Sequence, residues 1–109
     1  MKTKASAFDP VNSHRGHQLV AFFLFMFYVY ILQSEITKQF YKGQTDDLQR
    51  RLKEHNNGEE KSTAPFCPWV LVWHTSVETR SKAVILEKKI KNITSREKTA
   101  DFIKRHSNK

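Results

Sequence analysis

Five side chains in this chain of 109 residues stand out by type: Tyr30, Tyr41, Arg51, His55 and Glu87. Together they supply the groups that metal-assisted hydrolysis of a phosphodiester requires. One carboxylate holds a hard divalent cation such as Mg²⁺, which keeps most of its waters. The cation polarises a phosphate oxygen and offsets charge on the leaving alkoxide. An arginine offers forked donors to a pentacoordinate phosphate. A tyrosine, protonated at neutral pH, takes a proton from water only when nearby cations lower its pKa. Each residue also has a plain structural reading. Strand tyrosines are commonly core residues, Arg51 has Arg50 beside it, and His55 follows Leu48 and Leu52 at helical spacing. Glu87 lies between Leu86 and Ile90, where a carboxylate is costly unless paired, and Lys91 one turn on is such a partner.

The elements that must position these groups follow from pattern. Phe27 to Leu32 alternates aromatic and β-branched residues and reads as a strand, with Tyr28 and Tyr30 on one face and Phe27, Val29 and Ile31 on the other. A polar hairpin loop, Gln33 to Gln39, returns the chain along Phe40 to Gln44, which brings Tyr41 near Tyr30. Asp46 and Asp47 suit the start of a helix carrying Leu48, Leu52 and His55, and Asn56-Asn57-Gly58 stops it. After a charged loop from Glu59 to Pro68, Trp69 to Trp73 reads as a third strand, in the centre or along one edge of the sheet. Thr79 or Ser81 caps a second helix with Ala83, Leu86, Ile90 and Ile93 inward, and Ser95 caps a third with Ala100 and Ile103 inward. The expected architecture is α+β: a small three-stranded antiparallel sheet flanked by helices, in the order β-β-α-β-α-α.

The chain is long enough for one domain and one modest core. Lysine and arginine number 19 against 11 acidic residues, a formal charge of +8, which points to a polyanionic partner. The excess is concentrated from Arg80 to Lys109, and Lys88, Lys89, Lys91, Arg96 and Lys98 are the expected nucleic-acid-binding residues. Cys67 is the single cysteine; it excludes an internal disulfide and fits a reducing, cytoplasmic setting. Residues 1–25 read as a disordered or dispensable extension ahead of a domain over 26–109. The apolar run Leu19 to Leu32 falls short of the roughly 20 residues of a membrane-spanning helix, so no stable membrane insertion is expected.

The strings Tyr28-Val29-Tyr30-Ile31-Leu32, Phe40-Tyr41-Lys42-Gly43-Gln44-Thr45, Arg50-Arg51-Leu52 and Glu54-His55-Asn56 closely resemble the GIY-YIG nuclease superfamily. The small, stand-alone bacterial branch is the nearest likeness. The match continues through Pro68-Trp69, Glu78-Thr79-Arg80-Ser81, Glu87-Lys88 and Ser95-Arg96. The resemblance implies a divalent-metal-dependent endonuclease that hydrolyses DNA phosphodiesters with Mg²⁺ or Mn²⁺, in DNA repair or processing. It implies Tyr30 as general base, Tyr41 orienting water or phosphate, Gly43 allowing close backbone or phosphate approach, and Arg51 and His55 as catalytic side chains. Glu87 would be the metal-binding carboxylate.

Three positions depart from the family pattern. Tyr28 replaces the glycine of the first half-motif, and Lys42 stands where a small or apolar residue is usual. Alternation places Lys42 on the face opposite Tyr41. Thr99 occupies the region where some branches carry an active-site asparagine. The competing expectation is therefore a nucleic-acid-binding module that keeps the fold without the catalysis. Cleavage separates the two readings; salt-dependent binding is expected under both, and a flat salt dependence would count against the basic face itself.

Overall fold

The computed structural model describes residues 26–107, and the expectations for residues 1–25 fall outside them. Strand β1 (Phe27–Ser34) lies between β2 (Phe40–Thr45) and β3 (Trp69–Val77), antiparallel to both. The third strand therefore runs along an edge, and β1 holds the centre. Its composition explains the placement: Val29 and Ile31 on one face and Tyr30 and Leu32 on the other are all at most 2% exposed. Only a strand covered on both faces can bury such a run.

The two faces carry separate clusters. Helix α1 (Leu48–Asn56) covers one, packing Leu48 and Leu52 on Tyr30, Leu32, Leu71 and Trp69. Helices α2 (Arg80–Lys91) and α3 (Arg96–His106) cover the other, where Val29, Ile31, Ala83 and Ile90 form the centre. All three helices are capped as their sequences suggest, by the side chains of Asp47, Thr79 and Ser95. The element order β-β-α-β-α-α is the expected one.

Two inward assignments are corrected: Ile93 lies past the end of α2 at Lys91 and joins neither core cluster, and Ala100 does not face the sheet. Ala100 is exposed, and α3 turns Thr99, Phe102 and Ile103 toward the sheet instead. A polar partner decides the helix phase. Lys42 reaches through from β2 to donate from Nζ to the Ile93 carbonyl, at 2.6 Å, and to Thr99 Oγ1, at 3.1 Å. Burial lowers the Lys42 pKa from the usual lysine value. Lys42 thus faces away from Tyr41, and Thr99 anchors the turn between α2 and α3.

A bulge in the β1–β3 pairing at Ile31/Leu32 puts Val72 and Trp73 both on the α2–α3 side, while Leu71 and Trp69 face α1. Trp69 is then tied to the end of α1. Its N–H donates to Asn56 Oδ1 (2.6 Å) and its carbonyl accepts from Asn56 Nδ2 (3.0 Å), while its indole N–H donates to the Thr63 carbonyl (2.9 Å). This clasp fixes the last turn of α1, which carries His55.

Candidate active site

Tyr30 projects from the central strand toward β2, where its register partner is Gly43. A β-carbon at position 43 would stand 2.6 Å from Tyr30 Oη and 2.8 Å from its Cζ, so the phenol lies across the glycine. What approaches Gly43 is the Tyr30 ring itself. Tyr41 pairs with Leu32, diagonal to Tyr30, and the two tyrosine ring centroids are 6.3 Å apart. His55 from α1 closes the group, with its ring centroid 4.8 Å from that of Tyr41.

The His55 ring is fully buried and spans two hydroxyls. Nε2 is 3.1 Å from Tyr30 Oη, and Nδ1 is 2.8 Å from Thr63 Oγ1. Burial, and then the nearby Arg51 charge, lower its pKa, so the imidazole is neutral at neutral pH. Burial pushes the Tyr30 phenol up to about 12, while the Arg51 guanidinium beside its hydroxyl acts in the opposite direction. Tyr30 therefore rests as a protonated phenol with a neutral imidazole at hydrogen-bond distance.

Arg51 lies one turn before His55, and its fork is held by two carboxylates. Nη1 donates to Glu54 Oε1 at 2.8 Å and Nη2 to Glu60 Oε1 at 2.7 Å. The side chain is a quarter exposed, so one edge remains open to solvent. Arg50 instead pairs with Asp46, Asp47 and Glu54 on the exposed side of the helix. The neighbouring arginines are thus separated in role by the helix turn.

Glu87 reaches the site region from α2. Its Oε1 accepts from Gln44 Nε2 at 2.9 Å, its Oε2 pairs with Lys91 at 3.1 Å, and the side chain is 17% exposed. Gln44 adjoins Gly43 in β2 and in turn accepts from Arg80 (3.1 Å). The Glu87 charge contributes to the raised Tyr30 pKa, but the structure shows no direct contact between Glu87 and Tyr30, Tyr41, Arg51 or His55. Four of the five sequence-selected residues thus converge, and the fifth stands at one remove.

Among the described residues, no three His, Cys, Asp or Glu side chains converge as a metal-ligand group. The donor set at Glu87 fits a mostly hydrated Mg²⁺, which needs one or two carboxylates and retains its waters. The ammonium of Lys91, on an exposed side chain, pairs with one carboxylate oxygen, and the Gln44 amide donates to the other. Lys88, Lys89, Lys91, Arg96 and Lys98 are all exposed on α2 and the start of α3.

Thr63 and Glu60 were not legible as site residues. Both belong to the charged loop after α1, where no periodicity assigns a face, and only the return of that loop onto α1 brings them to His55 and Arg51. The pair of glutamates six residues apart around a histidine carries no recognisable spacing signal.

The fold and the site define a small α+β domain with a tyrosine–histidine–arginine centre at the β1–β2 junction. A family model described as the GIY-YIG catalytic domain matches residues 26–100, and the chain belongs to that family, a family of nucleases. A UPF0213 protein of Haloquadratum walsbyi is 40% identical over 72 residues, covering 65% of this chain and 80% of that protein. A UPF0213 protein of Halobacterium salinarum is 35% identical over 78 residues, covering 71% of this chain and 100% of that protein. A solution NMR structure of a UPF0213 protein from Bacillus halodurans aligns with 74% of this chain and 85% of that chain, at 30% identity and a TM-score of 0.48.

Proposed function

We propose that the protein is a divalent-metal-dependent endonuclease that hydrolyses phosphodiester bonds of nucleic acid, DNA foremost, in repair or processing of DNA in the cytoplasm. The observation that carries this reading is the contact between the Tyr30 hydroxyl and the neutral His55 imidazole, with Arg51 beside them. A phenol with a pKa near 12 is a poor base by itself. Passing its proton to His55 Nε2 leaves a phenolate that Arg51 stabilises, and that oxygen takes a proton from the attacking water. Tyr41 flanks the water or phosphate. Arg51 keeps N–H groups beyond those engaged by Glu54 and Glu60, and these serve the transition-state phosphate oxygens. A Mg²⁺ or Mn²⁺ ion held through Glu87 would supply polarisation of a phosphate oxygen and offset charge on the leaving group.

One observation favours the competing reading of a binding module without catalysis. Both polar ends of the machinery are already paired, Arg51 with Glu54 and Glu60, and Glu87 with Lys91. Substrate and cation must displace or share those contacts. The deciding experiment is cleavage of labelled single-stranded, duplex and branched DNA with Mg²⁺ or Mn²⁺, comparing wild type with Glu87→Ala and Arg51→Ala. Cleavage by wild type that is lost in both folded variants supports the hydrolase. Salt-sensitive binding without cleavage supports the module.

A further inference from the structure

The tautomer of His55 decides whether Tyr30 has anywhere to send its proton, and the surroundings constrain that tautomer from both ends. Arginine is only a donor, so the nearby Arg51 guanidinium, whose fork is engaged by Glu54 and Glu60, offers the Tyr30 hydroxyl no acceptor. The buried phenol must therefore direct its own O–H toward an acceptor. His55 Nε2, at 3.1 Å, is the acceptor within reach among the described residues. A neutral imidazole with a free Nε2 carries its hydrogen on Nδ1, and that N–H requires an acceptor in turn. Thr63 Oγ1 stands 2.8 Å away, only 1% exposed, with the Glu60 carbonyl at 3.4 Å to receive its own hydroxyl hydrogen. The opposite tautomer would point the His55 Nε2–H at Tyr30 Oη and leave the buried phenolic hydrogen without an acceptor among the described residues, at a desolvation cost.

We infer that Thr63 is a positioning residue that holds His55 as the Nδ1–H tautomer, so that Nε2 stands ready to take the Tyr30 proton. The proton leaves Tyr30 Oη, the lone pair of His55 Nε2 receives it, and the new imidazolium keeps its Nδ1–H on Thr63 Oγ1. Thr63 touches no reacting atom. Its backbone is fixed separately, since its carbonyl accepts the Trp69 indole hydrogen, so the hydroxyl can be altered while that clasp remains. The same loop supplies Glu60, which orients Arg51, so one short segment after α1 supports both side chains that flank Tyr30.

The catalytic consequence rests on the hydrolase reading above, whereas the tautomer does not, and the experiment separates them. Nitrogen-15 NMR of the full chain, at a pH where His55 is neutral, reads which ring nitrogen is protonated in wild type, Thr63→Ser and Thr63→Val. The expected result is the Nδ1–H form in wild type and Thr63→Ser, with Thr63→Val shifted toward the Nε2–H form. An Nε2–H imidazole in wild type overturns the proposal even if Thr63→Val fails to fold. A folded Thr63→Val that keeps the Nδ1–H form also overturns it. Where wild type cleaves DNA, Thr63→Val should lose about ten- to a hundredfold in kcat with KM little changed, and Thr63→Ser should recover most of it. Full kcat in Thr63→Val would overturn the positioning role. If wild type does not cleave at all, the hydrolase reading fails while the NMR result still decides the tautomer.

Discussion

The Tyr30 phenol lies across Gly43 of the neighbouring strand so closely that a β-carbon there would meet Oη at 2.6 Å. The glycine is thus a space requirement set by one side chain, in an ordinary extended strand. It aims the hydroxyl past β2 toward His55. Gly43→Ala should force the ring aside and cost about 1–3 kcal/mol by overpacking, with cleavage falling at least as steeply as stability. Urea denaturation alongside cleavage rates checks this. An alanine variant of unchanged stability and rate would mean that the ring relocates freely.

Removing the Glu87 carboxylate should separate chemistry from folding. Its contacts are an ion pair with the exposed Lys91 and one hydrogen bond from Gln44, together worth about 1–2 kcal/mol, so Glu87→Ala should stay folded and melt within about ten degrees of wild type. Cleavage should fall by more than about a hundredfold, since charge stabilisation by a bound cation is worth several kcal/mol. Binding of DNA in the absence of cation should persist. Melting curves and Mg²⁺ titrations of the rate give both readings.

Lys42 offers the reverse separation. Its ammonium feeds the Ile93 carbonyl and Thr99 Oγ1 on the face away from Tyr41. Lys42→Met should cost about 1–3 kcal/mol, because two partly buried oxygens lose a donor, and hydrogen exchange should quicken at the α2–α3 turn. Catalytic rates per folded molecule should hold, and a large rate loss would place Lys42 in the substrate path.

His55 makes stability depend on pH in one direction. Burial holds its folded-state pKa below the ordinary histidine value of about 6.5, so the unfolded chain binds the proton more readily. Stability is complete above about 6.5 and is lost as pH falls through the lower folded-state value. The surrounding charged and titratable groups are Arg51, Glu54, Glu60, Tyr30 and Tyr41, of which Arg51 reinforces the shift and the two glutamates oppose it. Glu54, held below 4.5 mainly by its Arg51 hydrogen bond, adds a loss in a separate, more acidic window. Denaturation midpoints from pH 8 to 5 should drop in wild type, and the drop should flatten in His55→Gln.

The exposed lysines of α2 test the polyanion face. Lys88→Ala combined with Lys89→Ala should weaken binding uniformly across DNA sequences and reduce the slope of log K against log salt by about 1 to 2. Fluorescence anisotropy at several salt concentrations measures it. Lys91 is a poorer choice for this purpose because its charge is already paired with Glu87.

Sequence alone determined the element order, the helix caps and the two-faced character of β1. Each of these is set by residues adjacent in the chain or one helical turn apart: Asp47 and Ser95 cap their own helices, and Val29, Tyr30, Ile31 and Leu32 alternate along one strand. It also selected Tyr30, Tyr41, Arg51 and His55, because their types and spacing carry the family likeness. Tertiary structure decided the rest. The phase of α3, with Thr99 rather than Ala100 inward, depends on a lysine 57 positions away in β2. The clasp of Asn56 on Trp69, the phenol of Tyr30 over Gly43 and the return of Thr63 and Glu60 onto α1 depend on strand register and loop closure. Periodicity assigns a face only within one element. Contacts between elements depend on which hydrogen-bonding groups meet when the layers pack, and buried polar atoms such as the His55 nitrogens must find their partners there.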